Sequence, residues 1–267
     1  MLDLKQLTAD VCRIATEVGH FLKEERKNFR RERVVEKHAH DYVSYVDKES
    51  EVCVVKALTA LLPEAGFITE EGSAIYQDEP YCWVIDPLDG TTNYIHDEAP
   101  YCVSIALRSR TELLLGVVYE VCRDECFYAW KGGKAFMNGE EIHVSNVENI
   151  KDAFVITELP YNHLQYKQTA LHLIDQLYGV VGGIRMNGSA AAAICYVAIG
   201  RFDAWMEAFL GKWDYSAAAL IVQEAGGKVT NFYGEDHFIE GHHILATNGN
   251  LHPFFQKLLA EVPPLNM

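Results

Sequence analysis

Leu4, Leu7, Val11, Ile14, Val18, Phe21 and Leu22 recur at intervals of three and four residues. That spacing lines one face of an α-helix, so the chain is predicted to open with an amphipathic helix running into the charged stretch 23–33. A second helix is predicted over 47–62, with Asp47 as its N-cap and Ser50-Glu51 early in its first turn. Pro63 and Gly66 suit its end. Between the helices, residues 36–46 carry His38, His40 and Asp41 and read as a loop or irregular hairpin.

The pattern then shortens. Phe67-Ile68-Thr69 and Tyr81 to Ile85 read as strands, and 103–108, 112–120 and 125–130 follow as consecutive strands joined by tight turns. Lys131-Gly132-Gly133 and Met137-Asn138-Gly139 are turn signals. These strands predict an antiparallel sheet packed on the two helices. The second half alternates: strand 153–157, helix 163–178, small-residue helix 188–199, strand 202–206, helix 213–225 ending at Gly226-Gly227, strand 244–246 and helix 253–259. Gly182-Gly183 reads as an isolated turn. The change of rhythm near 145–152 divides the chain into a helix-pair and antiparallel-sheet lobe, 1–150, and an α/β lobe, 151–267, within one compact unit. The fold class is α/β (α+β).

Composition narrows the partners. Hydrophobic residues make up 49% of the 267, enough for a large core. The net charge of −15 repels nucleic acid and anionic membranes, so neither is expected as a partner. A phosphate substrate would be repelled too and would need local cations. The seven cysteines form no CxxC pair, and Cys122 and Cys126 lack a second pair to complete a zinc site. They read as reduced thiols of a cytoplasmic protein. No signal peptide is apparent at residues 1–5, and no apolar run approaches the ~20 residues of a membrane span. His38 with His40, and His242 with His243, lack the spacing of a zinc site on a helix. They read as surface or core histidines.

The run Trp83-Val84-Ile85-Asp86-Pro87-Leu88-Asp89-Gly90-Thr91-Thr92-Asn93 carries the chemistry. A strand ends in two aspartates three apart, followed by a glycine and two threonines, in a turn that Pro87 stiffens. Glu70 follows another short strand, and Asp214 opens a helix. Asp86, Asp89, the Leu88 carbonyl, Glu70 and Asp214 form an all-oxygen set suited to Mg²⁺, with Mn²⁺ as an alternative. Asp86, at the centre, is the natural bridging ligand of two ions. Gly90 allows a phosphate close to the backbone, and Thr91 brings a hydroxyl. Taken singly, each aspartate fits an ordinary turn or cap equally well.

Three motifs in order resemble those of the inositol monophosphatase family of Mg²⁺-dependent, lithium-sensitive phosphatases. They are Glu70-Glu71, Asp86-Pro87-Leu88-Asp89-Gly90-Thr91-Thr92-Asn93, and Trp213-Asp214-Tyr215-Ser216-Ala217 with Glu224-Ala225-Gly226-Gly227. The resemblance runs from the first helix to about residue 260. It implies a five-layer αβαβα sandwich of the sugar-phosphatase type and a homodimer. It implies a first metal on Glu70, Asp86 and the Leu88 carbonyl, a second on Asp86, Asp89 and Asp214, and a third near Glu70. Glu70 and Thr91 would activate the attacking water, with Asp47 ordering the network. Gly90 and Thr91 would bind phosphate. Asp89, Gly188, Ser189, Ala190 and Glu207 would bind the substrate. Lys37, one residue short of the family spacing, stands in for a family lysine or is a plain surface residue, and Arg185 supports the substrate loop or pairs with a surface acid.

The implied activity is hydrolysis of a phosphomonoester by direct attack of water, without a phosphoenzyme. A small phosphorylated polyol or sugar is the substrate class, with inositol 1-phosphate leading. Thr91-Thr92-Asn93 matches the sugar-phosphatase form, whereas relatives acting on adenosine 3′,5′-bisphosphate carry Lys-Glu-Phe after Asp-Gly-Thr. Fructose 1,6-bisphosphate, the 2′-phosphate of NADP and 3′-phosphoadenosine 5′-phosphate are the alternatives within the class. A non-catalytic regulatory homologue is the alternative outside it.

Overall fold

The computed structural model describes residues 2–30, 32, 34–38, 41–160 and 163–262. Helix α1 (Leu4–Lys27) buries Val11, Ala15 and Leu22 completely. Asp3 caps it, accepting the Gln6 N–H at 3.0 Å. The helix outlasts its apolar stripe by one charged turn, where Lys27 pairs with Glu24 at 2.6 Å. Strands β1 (Val35–His38) and β2 (Asp41–Val43) form the expected irregular hairpin. His40 lies outside the described residues. Helix α2 (Tyr45–Leu61) begins earlier than predicted. Its N-cap is Ser44, and Asp47 sits three positions inside as the other half of a capping box. The acidic residue alone suggested the cap; the serine before it takes that role.

The larger sheet has seven strands in sequence order: β3 (Ala65–Thr69), β4 (Tyr81–Asp89), β5 (Cys102–Ser109), β6 (Leu113–Glu120), β7 (Glu125–Trp130), β8 (Ala135–Met137) and β9 (Glu140–Glu141). A short helix, α3 (Thr91–His96), lies between β4 and β5. The sheet is antiparallel except for β3 and β4, which run parallel. The 11 residues between β3 and β4 cross over so that both strands end on one edge. The antiparallel prediction fails only at this pair.

The second half builds β10 (Phe154–Thr157), α4 (Lys167–Leu177), β11 (Gly183–Arg185), α5 (Ala190–Ala198), β12 (Ala204–Ala208), α6 (Lys212–Glu224), β13 (Lys228–Thr230), β14 (His243–Thr247) and α7 (His252–Ala260). The five-stranded sheet runs β11-β10-β12-β14-β13. β11 and β13 escaped prediction because three residues show no period. Gly183, read as part of a turn, belongs to β11.

Three cores hold five layers together, the middle one filling both faces of the central helices. Trp83, Ile85, Val103 and Ile105 face α1 and α2. Val84, Ala106, Val118 and Phe127 face α5 and α6, which also bury Ile156, Trp205 and Ile244 of the smaller sheet. The outer face of that sheet buries Val155, Met206 and Leu245 against α4 and α7. The order is helices, sheet, helices, sheet, helices, as the five-layer expectation requires. The all-apolar, small-residue character of α5 follows from its place between two sheets, where every one of its nine residues is buried. All seven cysteines are unpaired. Among the described residues no helix is long and apolar enough to cross a membrane.

Candidate functional site

Thr69 of β3 lies opposite Ile85 of β4, and the Glu70 N–H donates to the Ile85 carbonyl at 3.3 Å. Glu70 therefore leaves its strand at the level of Asp86. An antiparallel pair would have sent the two acids to opposite edges.

Asp86 and Asp89 pose a parity problem. In a regular strand, residues three apart point to opposite faces. The strand solves it with a bulge. Asp86 opposes Ser104 and Asp89 opposes Cys102, so β4 takes three steps while β5 takes two. The extra residue turns Asp89 to the same side as Asp86. The predicted turn is thus a bulged continuation of β4, and Leu88 packs into the core under α1 and α2.

Asp214 arrives from the first turn of α6, where its carboxylate accepts the Gly211 N–H at 2.7 Å. Ser104, the neighbour of Asp86 in the sheet, donates to the Trp213 carbonyl at 3.1 Å and fixes that turn. Oxygens of Asp86, Asp89 and Asp214 all lie within 4.8 Å of one another. Burial, then the carboxylates of Glu70, Asp89 and Asp214, hold the Asp86 carboxyl well above its ordinary range. Burial raises Asp89 as well. Crowded oxygen-only donors, two of them buried and Asp214 half-buried, suit a hard divalent cation, which would neutralise charges that otherwise repel.

Beside this cluster, the Thr91 hydroxyl lies 3.0 Å from Asp47 Oδ1 and 3.0 Å from the Leu88 carbonyl. It has one proton and two acceptors. The other Asp47 oxygen accepts from the Ser44 N–H at 2.9 Å and the Ser44 hydroxyl at 2.6 Å. Burial raises the Asp47 carboxyl, against the lowering pull of those hydrogen bonds. Gly90 precedes Thr91 with φ 88°. A Cβ there would lie 2.9 Å from the Pro100 carbonyl oxygen, so the position needs glycine on both counts.

The turn Gly188-Ser189-Ala190 lies against these acids, and its donors are already engaged. The Ser189 hydroxyl and the N–H groups of Ala190 (3.3 Å) and Ala191 (2.8 Å) donate to Asp89. Asp89 thus sits at the N-terminus of α5, where helix N–H groups favour a carboxylate. Asn93 joins the halves of the site, donating to the Pro100 carbonyl at 2.8 Å and the Asn187 carbonyl at 2.7 Å.

A cavity of about 860 Å³ opens beside Asp89 and Asp214 and is lined further by Glu158, Glu207, Ser189 and Phe209. Burial and the Glu158, Asp214 and Asp89 carboxylates push Glu207 well up. Glu158 escaped the sequence reading. It is buried, accepts the N–H groups of Asn187 (2.8 Å) and Gly188 (3.2 Å), and burial raises it to about 7. Its signal was present: Ile156-Thr157-Glu158 ends β10 as Ile68-Thr69-Glu70 ends β3. Glu51 was also missed as a functional residue. Fully buried on α2, it accepts the N–H groups of Glu71 and Ser73, each at 2.8 Å, and so shapes the loop carrying Glu70.

One candidate is placed elsewhere. Arg185 is exposed on edge strand β11, with its guanidinium 4.8 Å from the centre of the Phe154 ring. Lys37 lies in β1, and its side chain is outside the described part of the structure. His243 is buried and accepts the Phe232 N–H at 3.0 Å, and His242 Nδ1 lies 2.7 Å from the Leu210 carbonyl oxygen.

The profile of the inositol monophosphatase family matches residues 3–263. A Pseudomonas aeruginosa protein named Nus factor SuhB is 40% identical over 86% of each chain. An inositol monophosphatase of Dictyostelium discoideum is 35% identical over 99% of each. Among solved structures, inositol monophosphatase from Anabaena superposes with a TM-score of 0.88 at 31% identity, covering 99% of both chains. Extragenic suppressor protein suhB from Bartonella henselae gives 0.89 at 34% identity, covering 96% of this chain and 98% of that one.

Proposed function

This chain belongs to the inositol monophosphatase family, and on that basis we propose that it hydrolyses phosphomonoesters with Mg²⁺, inositol 1-phosphate leading among the substrates. The observation carrying this reading is the bulge of β4, which gathers Asp86, Asp89 and Asp214 into one oxygen cluster. Glu70, Asp86, the Leu88 carbonyl, Asp89 and Asp214 would hold two or three ions. Mg²⁺, or Mn²⁺ in its place, supplies positive charge for the phosphoryl oxygens and lowers the pKa of water.

The chain's own residues do the rest. The Thr91 hydroxyl orients the attacking water, and Glu70 and Asp47 take up its proton through that hydroxyl or directly. The Gly90 and Thr91 N–H groups face the phosphate. Asp89 and Glu207 accept from hydroxyls of the leaving group. Ser189 and Ala190 serve mainly by holding Asp89, because their donors are committed to it. Glu158 in turn holds Gly188. The same family likeness supports a homodimer, which sedimentation equilibrium measures.

A second reading comes from the relatives named Nus factor SuhB, at up to 40% identity: a regulatory role on the same scaffold. A screen over inositol, fructose, nucleotide and histidinol phosphates separates the two. Turnover that needs Mg²⁺ and stops with EDTA supports catalysis. Absence of turnover for every ester, with the protein folded and Mg²⁺ present, removes the catalytic reading.

A further inference from the structure

Phe209 occupies a backbone position that disfavours it. Its φ is 66°, in the left-handed region where glycine is at ease and a bulky side chain is an outlier. It lies in the short turn between Glu207 on β12 and Asp214 on α6, so it links a proposed substrate acid to a proposed metal ligand. The turn is pinned on both sides. Ala208 pairs with His243 in the sheet, and the Leu210 N–H donates to the His242 carbonyl at 2.9 Å. The backbone therefore cannot relax around Phe209, and a glycine there would remove the strain. An aromatic ring in so strained a position implies that the ring itself is used.

The ring is held firmly. His163 stacks on it with ring centres 4.3 Å apart and planes 13° apart. The buried Tyr166 meets it edge-on at 5.7 Å. Phe209 lines the main cavity together with Leu159, Pro160 and Met186. The same cavity presents the carboxylates of Asp89, Glu158 and Glu207. One lining is apolar, and the other accepts hydrogen bonds. A leaving group suited to both has hydroxyls on its rim and a face of C–H groups. A cyclic polyol or sugar ring has that character, and an open-chain polyol presents no such face.

We infer that Phe209 is a specificity-determining residue, giving the leaving-group pocket an apolar wall that favours esters of ring-shaped polyols over open-chain ones. This rests on the phosphatase reading above. The probes are myo-inositol 1-phosphate and glycerol 2-phosphate, assayed with Mg²⁺ for the wild type, Phe209→Gly, Phe209→Asn and Phe209→Tyr. Glycine and asparagine both accept the left-handed backbone, so at least one keeps the turn without a ring. Thermal unfolding confirms folding. In the ringless variants kcat/KM for the inositol ester falls about tenfold through KM, the scale of losing an apolar pocket contact. The glycerol ester changes less than about twofold, and Phe209→Tyr restores the wild-type ratio. An unchanged ratio in a folded ringless variant overturns the inference and leaves the phosphatase reading standing. A wild type that hydrolyses neither ester, nor any other in the screen, overturns both.

Discussion

The Thr91 hydroxyl lies 3.0 Å from the Asp47 carboxylate, although 44 residues separate them in the chain. Asp47 is anchored by Ser44 at the start of α2, and Thr91 begins α3. The contact joins two helix starts beside the acidic cluster. Thr91→Val keeps the shape of the side chain and removes the proton path. Its kcat is expected to fall about 10²–10⁴-fold, the range for loss of acid–base assistance. Asp47→Asn keeps an acceptor for Ser44 and falls by a similar factor. Circular dichroism checks folding, and a kcat within about threefold of wild type for either variant removes the relay.

Asp89→Asn tests the acidic cluster. The amide retains one oxygen for the Ser189 and Ala191 donors, so the protein stays folded. The kcat is expected to drop by several orders of magnitude, on the scale of losing a metal ligand. The cluster also predicts that Mg²⁺ raises the melting temperature of the wild type, because it neutralises repelling carboxylates in the folded state alone. Calorimetry with and without EDTA measures this. An equal Mg²⁺-induced rise in Asp89→Asn argues that Asp89 is no ligand.

Glu207→Gln separates recognition from catalysis. Its carboxylate lines the cavity together with Asp89 and should act on the leaving group. The ranking of sugar and polyol phosphates by kcat/KM should change, with single substrates moving roughly 10- to 100-fold. An identical ranking denies it a recognition role.

Glu51→Ala removes the acceptor of the Glu71 and Ser73 N–H groups. Losing these two part-buried hydrogen bonds to a carboxylate costs about 1–3 kcal/mol in total. The Mg²⁺ concentration for half-maximal activity should rise as well, because the loop that carries Glu70 loosens. Urea unfolding and an Mg²⁺ titration are the measurements. A variant destabilised with unchanged Mg²⁺ dependence confines Glu51 to folding.

His252 gives a pH dependence of known sign. It is buried between the hydroxyls of Thr230 (3.1 Å) and Thr247 (2.9 Å), and burial lowers it to about 4. The unfolded chain takes up a proton near pH 6.5, where the folded chain does not. Its contribution is therefore complete above about pH 6.5 and is lost as pH falls toward 4. The loss amounts to about 2–3 kcal/mol. Compared with His252→Asn, the wild-type advantage in urea should shrink over that window. A constant gap between pH 7 and 4 contradicts the assignment.

Much of the fold was legible because long elements repeat their pattern. The stripe of α1, the near-continuous apolar runs of β5 and β6, buried on both faces, and the small residues of α5 each reflect which faces are buried. Short elements gave no such signal: three residues in β11 or β13 cannot display a period. The start of α2 was misplaced because an acid three residues inside a helix resembles a cap. The acids of the site were legible by type and order. Glu158 was not, although its Ile-Thr-Glu context repeats that of Glu70.

From the sequence alone came the identities of the candidate groups, and with them the class of chemistry proposed: carboxylate oxygens, a hydroxyl and a flexible glycine close together in the chain. Tertiary structure decided which groups meet. Side-chain parity would have put Asp86 and Asp89 on opposite faces, and only the pairing of β4 with β5 shows the bulge that reunites them. Only the parallel pairing of β3 with β4 sets Glu70 beside Asp86. Packing of α5 and α6 between two sheets then delivers the donors for Asp89 and the carboxylate of Asp214. These are contacts between distant segments, and they depend on register and layer order, which no local pattern encodes.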